Sequence, residues 1–318
     1  MNVTERVIYE QFPFWQDALS IDLPKVTAST VVVVGCGTSF YLAQVIAAAF
    51  NLSGRNALAV PGAEWARRRH AYLADQTDLC LIALSRSGES TETVQAVDVS
   101  RAAGLPTIAL TCEEKSSITR AAETVVYIKT HPDEGIVMTS SASLMLMAGL
   151  RMAGVTLDSS VVEAAKAGLA AMDASVGDIV KDRRHFVYLG AGPFYGVATE
   201  GSLKLQEMSI SYSQAFHPME YRHGPISLVD DKTLVVMLYS ADTREEEARL
   251  VAEVKAKGAV VVGLGGPGDL TIPADLDGLS QTLAVLPALQ IIGERVAEAK
   301  NIDTTAPRHL SKVVVLAS

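Results

Sequence analysis

Cysteine is scarce in this 318-residue sequence, with Cys36, Cys80 and Cys112 far apart and no CxxC spacing. That usage fits a reducing compartment, and the cytoplasm is the expected location. Positive charge is also short: 27 Lys and Arg stand against 36 Asp and Glu, for a net charge of -9. The one basic run, Arg67-Arg68-Arg69, reads as a solvated or ion-paired helix face. Phosphate backbones are gripped by basic surfaces, so nucleic acid is not an expected partner. No stretch reaches membrane-spanning length without a charge or glycine, and Met1 to Leu19 mixes Glu5, Arg6, Glu10 and Asp17 with aromatic residues. Neither a membrane span nor a signal peptide is expected.

Nucleotide fingerprints are missing as well. Gly35-Cys36-Gly37 is followed by Phe40 where a dinucleotide turn requires a third glycine, and no GxxxxGK[ST] occurs. Gly263-Leu264-Gly265-Gly266-Pro267-Gly268 looks similar, but Pro267 and Pro273 oppose the long helix such a turn needs. No cofactor and no metal are expected.

What the sequence has is a repeat. Leu79 to Leu110 aligns with Thr233 to Leu264 at a shift of 154 positions, with Gly104 on Gly258. Gly35 falls on Gly190 and Glu64 on Glu220 at slightly different shifts, as expected if loops absorb insertions while elements persist. At this length, with hydrophobic residues at 49% and charged residues at 20%, two globular domains are expected. The limits are 1–156 and 157–302, with a tail over 303–318.

Short, wholly apolar runs alternate with amphipathic stretches: Val31–Val34, Leu79–Leu84, Thr107–Leu110, Val125–Ile128, Phe186–Leu189, Leu234–Leu238, Val260–Leu264 and Thr282–Leu286. Without two-residue alternation, such runs suit parallel strands covered on both faces. The expected fold class is α/β, two tandem sandwiches of helices around a parallel sheet. Helices are expected over Ser140–Ala153 and Ser159–Val176, and a strand-like segment over Val313–Leu316.

Ser85-Arg86-Ser87-Gly88-Glu89-Ser90 follows one buried strand and opens a helix. Unpaired N–H groups at a helix start, with hydroxyls beside them, bind phosphate well. Plain N-capping by one serine is the alternative, but several hydroxyls together with Arg86 favour phosphate. Gly37, Thr38 and Ser39 repeat the pattern after the preceding strand, beside Cys36, which reads as packing rather than as a nucleophile. Met138-Thr139-Ser140-Ser141 opens a third junction, where capping and anion binding remain equally open. In the second copy Tyr239-Ser240-Ala241-Asp242 replaces the serines, so only the first copy is expected to keep an anion cradle.

Glu200, Lys204 and Glu207 recur at i, i+4 and i+7, and spacing alone suggests a surface ion-pair stripe. The turn-rich His217-Pro218-Met219-Glu220-Tyr221-Arg222-His223 carries two histidines suited to proton transfer near neutral pH, while Pro218 opposes a metal-binding helix.

Cys36-Gly37-Thr38-Ser39, Ser85 to Thr93, Glu200 to Glu207, His223-Gly224-Pro225, Pro307 to Lys312 and the early Ile8-Tyr9-Glu10-Gln11 together resemble the double sugar-isomerase (SIS) domain, in particular the isomerase half of glucosamine-6-phosphate synthase. The resemblance implies that Ser39, Ser85, Ser87 and Ser90 hold a sugar phosphate with Arg86, with Cys36, Gly37, Thr38, Val137 and Thr139 in the same substrate-binding set. It implies that Glu207 carries a proton between C1 and C2 beside Lys204. His223 would assist ring opening from a neighbouring subunit, making a homodimer, and Lys312 would form a Schiff base with the keto sugar. Such an amine must be partly neutral, through desolvation or a cationic neighbour such as Arg308.

The pattern departs from the synthase at three places. Asn2 stands where the synthase has its nucleophilic cysteine, so glutamine is not the expected nitrogen source. Arg86 replaces a glutamine, and Thr139-Ser140-Ser141 replaces Ser-Thr-Lys. The expected activity is an isomerase/deaminase that converts an amino-sugar 6-phosphate of the glucosamine type to ketose 6-phosphate and ammonia. A fructosamine-phosphate deglycase and a non-catalytic sugar-phosphate sensor are the alternatives.

Overall fold

In the computed structural model, residues 1–74, 77–274, 276 and 278–314 are described. The strands are β1 (Thr30–Gly35), β2 (Asn56–Pro61), β3 (Leu79–Ser85), β4 (Thr107–Thr111), β5 (Thr124–Tyr127), β6 (His185–Gly190), β7 (Ser213–Phe216), β8 (Thr233–Leu238), β9 (Val260–Leu264) and β10 (Leu270–Ile272). The helices are α1 (Val3–Glu10), α2 (Phe12–Ala18), α3 (Thr38–Leu52), α4 (Gly62–Arg68), α5 (Thr91–Ala102), α6 (Ser117–Ala121) and α7 (Ser140–Met152). They continue with α8 (Ser159–Ile179), α9 (Pro193–Ser209), α10 (Pro218–Tyr221), α11 (Arg244–Ala256), α12 (Gly278–Ala284) and α13 (Leu286–Ala299).

The chain forms two compact units. One holds Glu10–Leu157 with the tail from Ser311; the other holds Asp158–Leu310 with Met1–Tyr9. The expected spans differ from these at both termini. The first residues join the later unit because Arg295 binds both Glu5 and Asp173, Tyr9 bonds Asp173, and Thr4 donates to the Thr304 carbonyl.

The first unit carries a five-stranded parallel sheet in the order β2-β1-β3-β4-β5, and the second one in the order β10-β9-β8-β6-β7. Setting β6 on β1, and so on in sequence, makes these the same topology. The repeat is therefore real in three dimensions, down to its turns. Gly37 (φ 55°, ψ -128°) and Gly192 (φ 51°, ψ -126°) share a left-handed conformation before α3 and α9. Gly35 and Gly190 share a need for closeness, since a Cβ there would lie 2.5 Å from the Ser39 carbonyl carbon and 2.4 Å from the Phe194 carbonyl oxygen.

The apolar runs are buried along their lengths in β1, β3, β4 and β8. In the first unit Val32, Val34, Leu81 and Ala83 pack with Trp65, Ala96 and Val97 of α4 and α5. The alternate residues face the other way, as strand geometry requires. On that side α3 meets α7 closely, because Gly149 leaves room for Ile46.

One expected strand is overturned. Thr282–Leu286 is helical, falling at the end of α12 and the start of α13, because an apolar run this short reads alike for a buried strand and a helix buried on most sides. Three strands escaped the sequence reading. All three, β2, β7 and β10, lie at sheet edges; β7 and β10 carry no continuous hydrophobic run, whereas β2 holds Ala57 to Val60, a run not among the expected strands. Val313 and Val314 are irregular, and Val315 and Leu316 fall outside the described residues.

Candidate active site

In an open parallel sheet, ligands bind beyond the carboxyl ends of the strands where strand order reverses. In the first unit that point lies between β1 and β3, and both loops leaving it are the serine-rich ones. Thr38 and Ser39, each 4% exposed, open α3. Ser85 ends β3, and Ser87 and Ser90 are half-buried before α5. Within the turn Ser85 Oγ accepts the Gly88 N–H at 3.1 Å and Ser87 Oγ accepts the Glu89 N–H at 3.2 Å, shaping a loop in which Gly88 has φ 66°. Ser90 sits at the N-cap of α5, yet its side chain makes no capping hydrogen bond. Simple capping therefore does not account for it.

The two serine loops meet through Cys36, whose Sγ lies 3.5 Å from Thr93 Oγ1 beneath Gly62. Burial pushes the Cys36 thiol above its ordinary value, partly offset by the Thr93 hydrogen bond, as befits packing rather than nucleophilic use.

The third junction is already filled. Val137 and Thr139 are buried, and the carboxylate of Glu134 accepts the Thr139 N–H at 2.7 Å and the Ser141 N–H at 2.9 Å at the start of α7. A carboxylate of the chain itself occupies the place an external anion would take. Glu134 carried no sequence signal beyond standing just ahead of a helix start. Arg86 is engaged beside it: Nη1 donates to the Gly135 carbonyl and Nη2 to those of Ile136 and Lys312. Lys312 is exposed and donates through Nζ to the Glu134 carbonyl at 2.9 Å.

In the second unit the loop after β8 shows why the copies differ. Glu247 on α11, fully buried, accepts the Ser240 N–H at 2.8 Å and the Thr243 hydroxyl at 2.9 Å. Burial raises its carboxyl above the ordinary value. This cradle, like the third junction, is closed by a carboxylate of the chain, which the sequence reading missed.

The acid–base groups lie on α9. Lys204 and Glu200 are each 1% exposed, with Lys204 Nζ 3.6 Å from Glu200 and in a direct hydrogen bond to Glu207, which is 21% exposed. The surface-stripe expectation is thus corrected: the face is buried because α9 packs between its own sheet and α13, with Gly201 against Tyr188 and Leu289. Glu207 alone of the three keeps an open edge. His217 stacks on Tyr195 with ring centroids 4.0 Å apart. His223 is exposed just past α10. Among the described residues no group of three or more His, Cys, Asp or Glu is placed to hold a metal, and no helix is long and apolar enough to cross a membrane.

Comparison with known proteins agrees with the duplicated sheet. The family model described as SIS domain matches residues 26–153 and 179–269. The chain belongs to the SIS domain family. The glutamine–fructose-6-phosphate aminotransferase [isomerizing] of Clostridium perfringens is 31% identical, over 90% of this chain and 52% of that protein. This SIS chain spans about half the length of the curated relatives it matches. Among solved structures, glucosamine-6-phosphate deaminase from Thermotoga maritima superposes with a TM-score of 0.88 at 31% identity, over 99% of this chain and 100% of that one. Tagatose-6-phosphate ketose/aldose isomerase from Escherichia coli gives 0.80 at 26% identity, over 94% and 93%. The relatives of this SIS protein are thus phosphosugar enzymes, and its resemblance to the double SIS fold holds over nearly its whole length.

Proposed function

We propose that this SIS protein is an isomerase/deaminase that converts an amino-sugar 6-phosphate, of the glucosamine 6-phosphate type, to the ketose 6-phosphate and ammonia. The observation that carries the reading is the Glu200–Lys204–Glu207 set: a buried amine hydrogen-bonds Glu207 and orients it while that carboxylate keeps an open edge. A carboxylate so held is suited to carry a proton between adjacent carbons.

The serine loops around Ser39, Ser85, Ser87 and Ser90 bind the phosphate, anchoring the substrate away from its reacting end. Glu207 takes the C2 proton of the open aldose, giving an enolamine, and returns it to C1, leaving an imine at C2. Water hydrolyses the imine to the ketone and ammonia, so substrate plus one water balances product plus ammonia. His223 serves the ring oxygen and comes from the partner of a homodimer. Lys312 condenses with the keto carbonyl, and its amine must lose a proton before it can attack.

Incubation with glucosamine 6-phosphate, with fructose 6-phosphate and ammonia assayed separately, tests the proposal. Equal amounts of both are expected, and Glu207→Gln should lower kcat by roughly 100- to 10,000-fold. Isomerisation of keto sugars without ammonia release from any amino-sugar phosphate would overturn it. Mixing Glu207→Gln with His223→Ala subunits should restore about a quarter of the sites if His223 acts across a two-fold dimer; no recovery would place it in its own subunit's site.

A further inference from the structure

Arg86 is the charged residue of the first serine loop, yet its guanidinium faces the chain itself. It is 7% exposed, and three of its five N–H groups are committed to backbone carbonyls: Gly135 at 2.9 Å, Ile136 at 3.0 Å and Lys312 at 3.0 Å. The Glu134 carboxylate lies 3.9 Å from Nη1 and is pinned by the N–H groups of Thr139 and Ser141. Lys312 returns the contact, its Nζ donating to the Glu134 carbonyl at 2.9 Å. Among the described residues two links therefore join the tail at Lys312 to the Glu134–Ile136 loop, and Arg86 makes the one that does not use the Lys312 amine.

We propose that Arg86 is a positioning residue: it clamps the tail at Lys312 against the Glu134–Ile136 loop and is not a ligand of the substrate's phosphate. An arginine that clasps a phosphate presents two parallel N–H groups to it, whereas this fork is spread over three carbonyls. Only a planar guanidinium reaches all three at once; lysine keeps the charge without the fork, and glutamine has a single pair of donors. The clamp rests on the reading of Lys312 as the carbonyl-reactive amine. It holds the lysine's backbone in place while Nζ, bound by one hydrogen bond, leaves Glu134 to reach a substrate carbonyl. That condensation forms a C=N bond and expels water, and borohydride hydride then reduces it to a stable secondary amine.

Arg86→Gln and Arg86→Lys separate the two roles through three measurements. The first is the rate of tryptic cleavage after Lys312 in the sugar-free protein. The second is the yield of Lys312 trapped by borohydride with fructose 6-phosphate. The third is inhibition by inorganic phosphate. Both variants should speed cleavage and lower trapping by about tenfold or more, the worth of a lost hydrogen bond to a charged group, while phosphate inhibition stays within about twofold. Unchanged cleavage and trapping with phosphate inhibition weakened about tenfold would make Arg86 a phosphate ligand and end the proposal. Arg86→Lys keeps a cation beside Glu134, so the question stays decidable if Arg86→Gln folds poorly. If Lys312 of the wild type is never trapped, the assignment of the Schiff base fails, but cleavage still judges the clamp.

Discussion

Replacing Lys204 by methionine tests the physical basis of the proposed chemistry most directly. The side chain is nearly isosteric, so packing against α13 changes little, and what disappears is the positive charge between Glu200 and Glu207. Glu200 is 1% exposed and 3.6 Å from Nζ, so its carboxylate cannot turn to water for compensation. Removing one partner of such a buried pair typically costs about 3–5 kcal/mol. Urea unfolding at pH 8, followed by far-ultraviolet circular dichroism, should show a loss in that range. A buried carboxylate that has lost its neighbouring ammonium has a higher folded-state pKa than before, so the folded variant binds more protons than the wild type, and its stability must fall relative to wild type as pH rises. The deficit relative to wild type should accordingly shrink toward pH 5. The double variant Glu200→Gln with Lys204→Met should recover much of it. A Lys204→Met protein within about 1 kcal/mol of wild type at pH 8, with no pH dependence of the difference, would show that the lysine is not electrostatically buried, and the account of Glu207 would fall with it.

Gly149→Ala should destabilise by about 1–3 kcal/mol in chemical denaturation, because its Cβ would stand 2.2 Å from Ile46 Cδ1; Ile46→Ala in the same chain should relieve the clash, and additivity of the two losses would refute the close approach. Glu247 has a folded-state pKa raised by burial above its ordinary 4.5, so the stability it contributes is full below that value and is lost as pH rises through the folded pKa. Glu247→Gln should therefore gain on wild type steadily as unfolding is measured from pH 4 upward, and a constant difference would contradict the burial argument. Because burial raises the Cys36 thiol above 9.0, its alkylation by iodoacetamide should be slow at neutral pH and still accelerating beyond pH 9; a rate already level at pH 8 would mark an activated thiolate.

The duplication, the parallel sheets and the position of the serine loops were legible in the amino-acid order because each rests on local chemistry. Wholly apolar runs such as Val31–Val34 bury on both faces, and paired glycines such as Gly35 with Gly190 must sit where backbones crowd. Edge strands β7 and β10 lacked that signature, β2 carried it in Ala57 to Val60 without being recognised, and Thr282–Leu286 carried it while being helical. Tertiary structure alone decided which helix starts are open. Glu134 and Glu247 close two of them with carboxylates only a few residues away, which turn inward only in the folded chain, and Arg86 turns from the serine loop to three distant carbonyls. It likewise decided that Lys204 is buried, since a spacing of three and four residues puts charges on one helix face without saying what covers that face. Side-chain type and spacing fix what a residue can donate or accept; which partner it meets depends on segments brought near by folding, and no local pattern records that.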